Sequence, residues 1–88
     1  MPTVTPPPPQ YDHGYSGPVI ERILPLEEAR KLCADIGITA DGCSGIIQPS
    51  GACYIVLPSD GFDTVEAYRR HELAHCAGWP ASHPPEQA

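Results

Sequence analysis

Eighty-eight residues carry eleven acidic and five basic side chains, a formal net charge of −6. That balance excludes recognition of a nucleic-acid backbone, which needs clustered Lys and Arg, and no apolar run approaches the length of a bilayer-spanning helix. The length allows one small domain at most, with a core that is marginal unless a covalent or metal staple supports it.

Residues 1–17 read as a proline-rich flexible tail. Pro6-Pro7-Pro8-Pro9 favours an extended polyproline segment with no internal hydrogen bonds. Such a segment serves as a linker, as a docking peptide, or as a flap that folds Tyr11, His13 or Tyr15 over a site. It carries no charged and apolar leader, so the chain is expected either to be cytoplasmic or to be a mature form whose leader has been removed.

Val19-Ile20-Glu21-Arg22-Ile23-Leu24 is a short β-branched run ended by Pro25 and reads as a strand. Pro25 suits the first turn of a helix, where Glu27 and Glu28 favour the positive end of the dipole. Leu26, Ala29, Leu32, Cys33 and Ile36 recur at three- and four-residue steps, and Gly37 supplies the stop. This is a scaffold helix with its stripe on a sheet.

Asp41-Gly42 turns the chain. Cys43 to Gln48 and Ala52 to Leu57 then flank Pro49-Ser50-Gly51 and read as a β-hairpin. After Pro58-Ser59-Asp60-Gly61, the spacing Asp63-Thr64-Val65-Glu66 resembles a capping box with Asp63 at the cap. It predicts a helix from Thr64 to about Ala77, and Gly78 can take the left-handed conformation that turns the chain sharply.

That last helix carries the chemistry. His71-Glu72-Leu73-Ala74-His75 is an H-E-x-x-H string. Residues four apart on a helix differ by about 40° around the axis, so both imidazoles leave one face and can reach one zinc ion. Glu72 sits beside them, placed to take a proton from a water. A catalytic zinc site needs three protein ligands and an open position. His83, beyond the Gly78 turn, is the expected third ligand, with Glu86 and Asp60 as alternatives. Trp79 is expected to pack over the helix end or to form a pocket wall.

The stretch HELAHCAGWPASH resembles the active-site segment of the zincin metallopeptidases, and its Gly78 turn is similar to that of the metzincin branch. The third-ligand place of the metzincin pattern holds Ala81 here, with His83 two residues later. As a whole, residues 18–84 more closely resemble small bacterial zincin-like proteins. The resemblance implies an α+β zincin-like domain, with a three-stranded sheet, a backing helix and an active-site helix. It also implies zinc-dependent hydrolysis of peptide or amide bonds, with His71, His75 and His83 as ligands and Glu72 as base. A peptide or protein substrate would add to an edge strand at Tyr54–Leu57.

Cys33, Cys43, Cys53 and Cys76 form no C-x-x-C pair. An even count in so small a chain favours two disulfides and an oxidising, periplasmic or secreted, setting. Cys53 with Cys76 would tie hairpin to helix while Cys33 with Cys43 closes a short loop, but three pairings are open to the sequence. The expected organisation is therefore a tail over 1–17, a monomeric zinc-binding domain over 18–84 and a short C-terminal tail over 85–88. A zinc-stabilised binding module without turnover and a disulfide-stapled structural domain are the alternatives to a hydrolase.

Overall fold

In the computed structural model, which describes residues 3–84, the domain is α+β. A short 3-10 turn at Pro9–Tyr11 precedes β1 (Val19–Leu24), α1 (Leu26–Asp35), β2 (Cys43–Ile47), β3 (Ala52–Pro58) and α2 (Val65–Cys76). The three strands form one mixed sheet in the order β1-β3-β2, with β1 parallel and β2 antiparallel to β3.

This order corrects one expectation. Tyr54–Leu57 lies on the central strand, not at an edge: Tyr54 pairs with Ile20 on one side and Gly45 on the other. Both backbone edges of β3 are occupied, so no peptide can add there. The reason is visible in composition. Ala52-Cys53-Tyr54-Ile55-Val56-Leu57 is apolar without interruption, the pattern of a strand buried on both faces. Glu21 and Arg22 interrupt β1, and five of its six residues are exposed. The edges are β1 and β2.

Alternation along β3 sends side chains into two cores. On one face Val56 packs with Ala29 and Cys33 of α1 and with Cys43, and Leu24, Leu32, Ile38 and Tyr54 close around them. On the other, Cys53, Ile55 and Leu57 pack with Tyr68 of α2, bordered by Val65, Leu73 and Cys76. The sheet is thus a single layer between two helices. Each core has its own disulfide, Cys33–Cys43 on the α1 face and Cys53–Cys76 on the α2 face.

Both helices stop by the same device. At α1, Gly37 takes φ 85°, its N–H donates to the Ala34 carbonyl, and the Ile38 N–H reaches back to the Cys33 carbonyl. At α2, Gly78 takes φ 113°, with Gly78 N–H to His75 and Trp79 N–H to Ala74. These are Schellman closures, in which glycine accepts a backbone conformation unfavourable to other residues. The start of α2 differs from the expected capping box by one residue. Thr64 is the cap, its hydroxyl accepting from Ala67 N–H at 3.1 Å. Asp63 instead accepts from the backbone of Thr64 and of Val4.

The proline-rich segment lies against this body over its described part. Val4 N–H donates to Asp63 at 2.8 Å, the Tyr15 hydroxyl donates to the Gly51 carbonyl at the hairpin tip, and Arg70 pairs with Asp12. Pro7 and Pro8 are buried.

Candidate metal centre

Three histidines come together at the C-terminal end of α2, two from its last turns and one from the loop beyond it. His75 Nε2 lies 3.2 Å from His71 Nε2 and 3.0 Å from His83 Nε2. His71 and His75 share a helix face, as their spacing requires. His83 returns through the Gly78 turn and a second turn in which its N–H donates to the Pro80 carbonyl at 2.9 Å. That second turn absorbs the two residues by which His83 lies beyond the metzincin position. His83 itself adopts φ 57°, a left-handed conformation in which His is enriched among non-glycine residues.

The tautomers follow from the partners. His71 Nδ1 lies 2.7 Å from the Thr5 carbonyl and His75 Nδ1 lies 2.8 Å from the Trp79 carbonyl. A carbonyl only accepts, so each Nδ1 carries the proton and each neutral ring presents a bare Nε2 lone pair to the cluster. Two lone pairs facing at 3.2 Å repel unless a cation lies between them. A proton is disfavoured there, because burial lowers the pKa of His71 and of His75.

A metal ion fits. Nitrogen ligands at about 2.0–2.1 Å in tetrahedral array lie roughly 3.3–3.4 Å apart, close to the separations observed. Engagement of the far ring nitrogen by a carbonyl is the usual outer-shell arrangement of a metal-binding histidine. Among the described residues no fourth His, Cys, Asp or Glu joins the three. Asp60, one alternative ligand, is elsewhere: its carboxylate accepts from Leu26 N–H at 2.7 Å and caps α1. Glu86, the other, lies outside the described residues.

Glu72 is 6 % exposed and lines the same cavity, of about 610 Å³, as His71, His75 and His83. Burial raises its carboxyl to about 7, an effect partly offset by the Ser44 hydroxyl. Gly42 makes room for it, since a Cβ there would stand 3.4 Å from Glu72 Oε2 and 2.9 Å from the Val56 carbonyl. The Asp41-Gly42 pair, legible in sequence only as a turn, is therefore also a close approach to an acid.

Trp79 organises the cluster more than a plug would. It is 3 % exposed, stacks on His75 at a 4.8 Å centroid distance and meets His71 and His83 at angles of 71° and 57°. Its indole N–H donates to the Pro84 carbonyl at 3.0 Å, fastening the loop that carries His83. The sequence placed Trp79 at the helix end but gave no signal that its carbonyl holds His75. Nor did it show that Thr5, sixty-six residues from His71, would be that ring's partner.

No family model matches the chain, and neither a curated protein nor a solved structure matches it.

Proposed function

We propose that the domain is a minimal zinc-dependent hydrolase of the zincin type, acting on peptide or amide bonds. The observation that carries this reading is the convergence of three imidazole nitrogens and a buried carboxylate on one cavity, with two of the imidazoles held in the ligating tautomer. His71, His75 and His83 would hold the metal, and imidazole donors suit zinc. Zinc bound there would acidify a water and polarise a carbonyl.

The remaining work falls to the protein's own groups. Glu72, buried beside the histidines on the same cavity, is placed to accept a proton and to pass it to a leaving amine. Its burial keeps bulk water from competing for that proton. The free edge of β2 borders the cavity through Ser44, Gly45 and Ile46, so an extended peptide has unpaired backbone groups to bind beside the histidines. A closed four-ligand site would favour a purely structural metal; the cluster has three among the described residues, which supports the hydrolytic reading. The two disulfides fit an oxidising compartment, and we place the protein in the periplasm or outside the cell.

Elemental analysis of untagged protein should find one zinc per chain, absent from His71→Ala and from His83→Ala. Glu72→Gln should keep the zinc and lose roughly 10²–10⁴-fold in hydrolysis of a peptide library. Undiminished hydrolysis by that variant, free of contaminating protease, would remove Glu72 from its role. A wild-type chain that takes up no zinc after loading would remove the metal with it.

A further inference from the structure

The two histidines of the helix are held in different ways. The outer partner of His75 is the Trp79 carbonyl, four residues on and fixed by the helix's own closure. The outer partner of His71 is the Thr5 carbonyl, on a segment with no strand or α-helix of its own over residues 3–17. Trp79 packs against the His71 ring, but the hydrogen bond that fixes its Nδ1 exists only while that segment is docked. The segment's docking rests on three widely spaced polar tethers, Val4 on Asp63, Asp12 on Arg70 and Tyr15 on the hairpin tip, and on apolar contacts, with Val4 and Tyr15 packed on the α2-face core and Pro7 and Pro8 buried. Between the first two run four prolines, a stiff span that loses little conformational entropy on being laid down.

We propose that residues 3–17 form a strap whose docking is coupled to metal binding, with the Thr5 carbonyl as the positioning group for His71. The proposal rests on the metal reading of the three histidines. When the strap lifts, His71 loses the acceptor that keeps its proton on Nδ1 and its Nε2 free, and the ring is released to rotate away from His75 and His83. Loss of an outer-shell partner of this kind typically costs about 10–100-fold in metal affinity. Coupling between two binding events is reciprocal, so the metal must hold the strap down by the same factor. Thr3, Val4 and Thr5 also line the cavity, so the metal-loaded state is the one in which this wall is in place.

Two arms test the coupling on the full chain. In the wild type, amide hydrogen exchange of residues 3–17 is followed with and without zinc. Zinc should slow exchange at Val4 and its neighbours by about 10–100-fold; unchanged exchange overturns the coupling. In the second arm, the double variant Asp12→Ala/Asp63→Ala cuts two tethers and leaves the histidines and Glu72 untouched. Its zinc affinity, read by competition with a chromogenic chelator, should fall by about 10-fold or more. A strap with only a structural role predicts a lower melting temperature with full zinc affinity, and that result also overturns the proposal while leaving the three-histidine site intact. A wild-type chain that binds no zinc overturns both together.

Discussion

The two faces of the sheet are built from the same strand and by the same means, yet they do different work. On the α1 face the helix buries Ala29 and Cys33, its acidic and basic groups stay outside, and one disulfide closes the core. On the α2 face the helix buries Tyr68, Glu72 and Ala74, and two histidines interrupt what would otherwise be an apolar stripe. An isolated buried carboxyl is costly, and the α2 face carries one with no opposing cation among the described residues, so burial raises it. The comparison teaches that both faces are stapled cores, and that only the α2 face admits polar groups, Glu72 and the candidate metal-binding histidines, among its packed residues. The α2 face compensates for its polar burial with a cross-element disulfide, a long-range strap and a well-capped helix.

The disulfides test that division most severely. By loop length, a bridge spanning 23 residues restricts the unfolded chain somewhat more than one spanning 10, by roughly 3.4 against 2.7 kcal/mol in the chain-entropy account. Cys33→Ala/Cys43→Ala should therefore lower stability in urea by about 3 kcal/mol and leave zinc affinity unchanged in the chains that remain folded. Cys53→Ala/Cys76→Ala should cost slightly more and also weaken zinc binding, because Cys76 adjoins His75 and anchors the last turn of α2 to β3. Equal zinc affinity in the two double variants would break the comparison.

Gly42 and Gly45 sharpen it at smaller scale, since they sit three residues apart on the way into and along β2. A Cβ at Gly42 would press on the Val56 carbonyl and approach the Glu72 carboxylate, whereas one at Gly45 meets nothing within 4 Å. Gly42→Ala should cost about 1–3 kcal/mol, as overpacking does, and, on the proposed function, depress hydrolysis by moving Glu72. Gly45→Ala should be near neutral for stability by thermal melting. If Gly42→Ala melts with the wild type, the close approach to Glu72 carries no constraint.

Which of these features the sequence disclosed depends on how local their physics is. The bounds of β1, the hairpin and both helices were legible because β-branched runs, a three-and-four stripe and glycine stops are written within a few residues. The pairing of His71 with His75 was legible because helical geometry alone fixes it. His83 was legible as a candidate through the Gly78 turn, but the Pro80–His83 turn that brings it back is a closure of the chain on itself. The zincin resemblance implies an edge position for Tyr54–Leu57, whereas the unbroken apolar run of that arm is the signal for a central strand. The strap contacts were out of reach. A run of prolines has no period from which to read a partner, and the Thr5 carbonyl reaches His71 only after sheet and helix have packed.

The smallest effect expected concerns the ion pairs that fasten each face at its margin. Arg30 pairs with Asp41 on the α1 side, and Arg69 of α2 pairs with Glu21 of the edge strand β1 at 2.7 Å. The Arg69 guanidinium holds the Glu21 carboxyl below its ordinary value near 4.5. A carboxyl lowered in the folded state contributes stability that is fully present above the unfolded pKa and is lost as the pH falls through the folded one. Glu21→Gln should thus cost less than about 1 kcal/mol at neutral pH, as partly exposed pairs do, and the gap from wild type should close as the pH drops below about 4. Urea midpoints of the two proteins across that range check it. Curves that stay parallel into acid would mean that β1 is held to the α2 face by its backbone ladder with β3 alone.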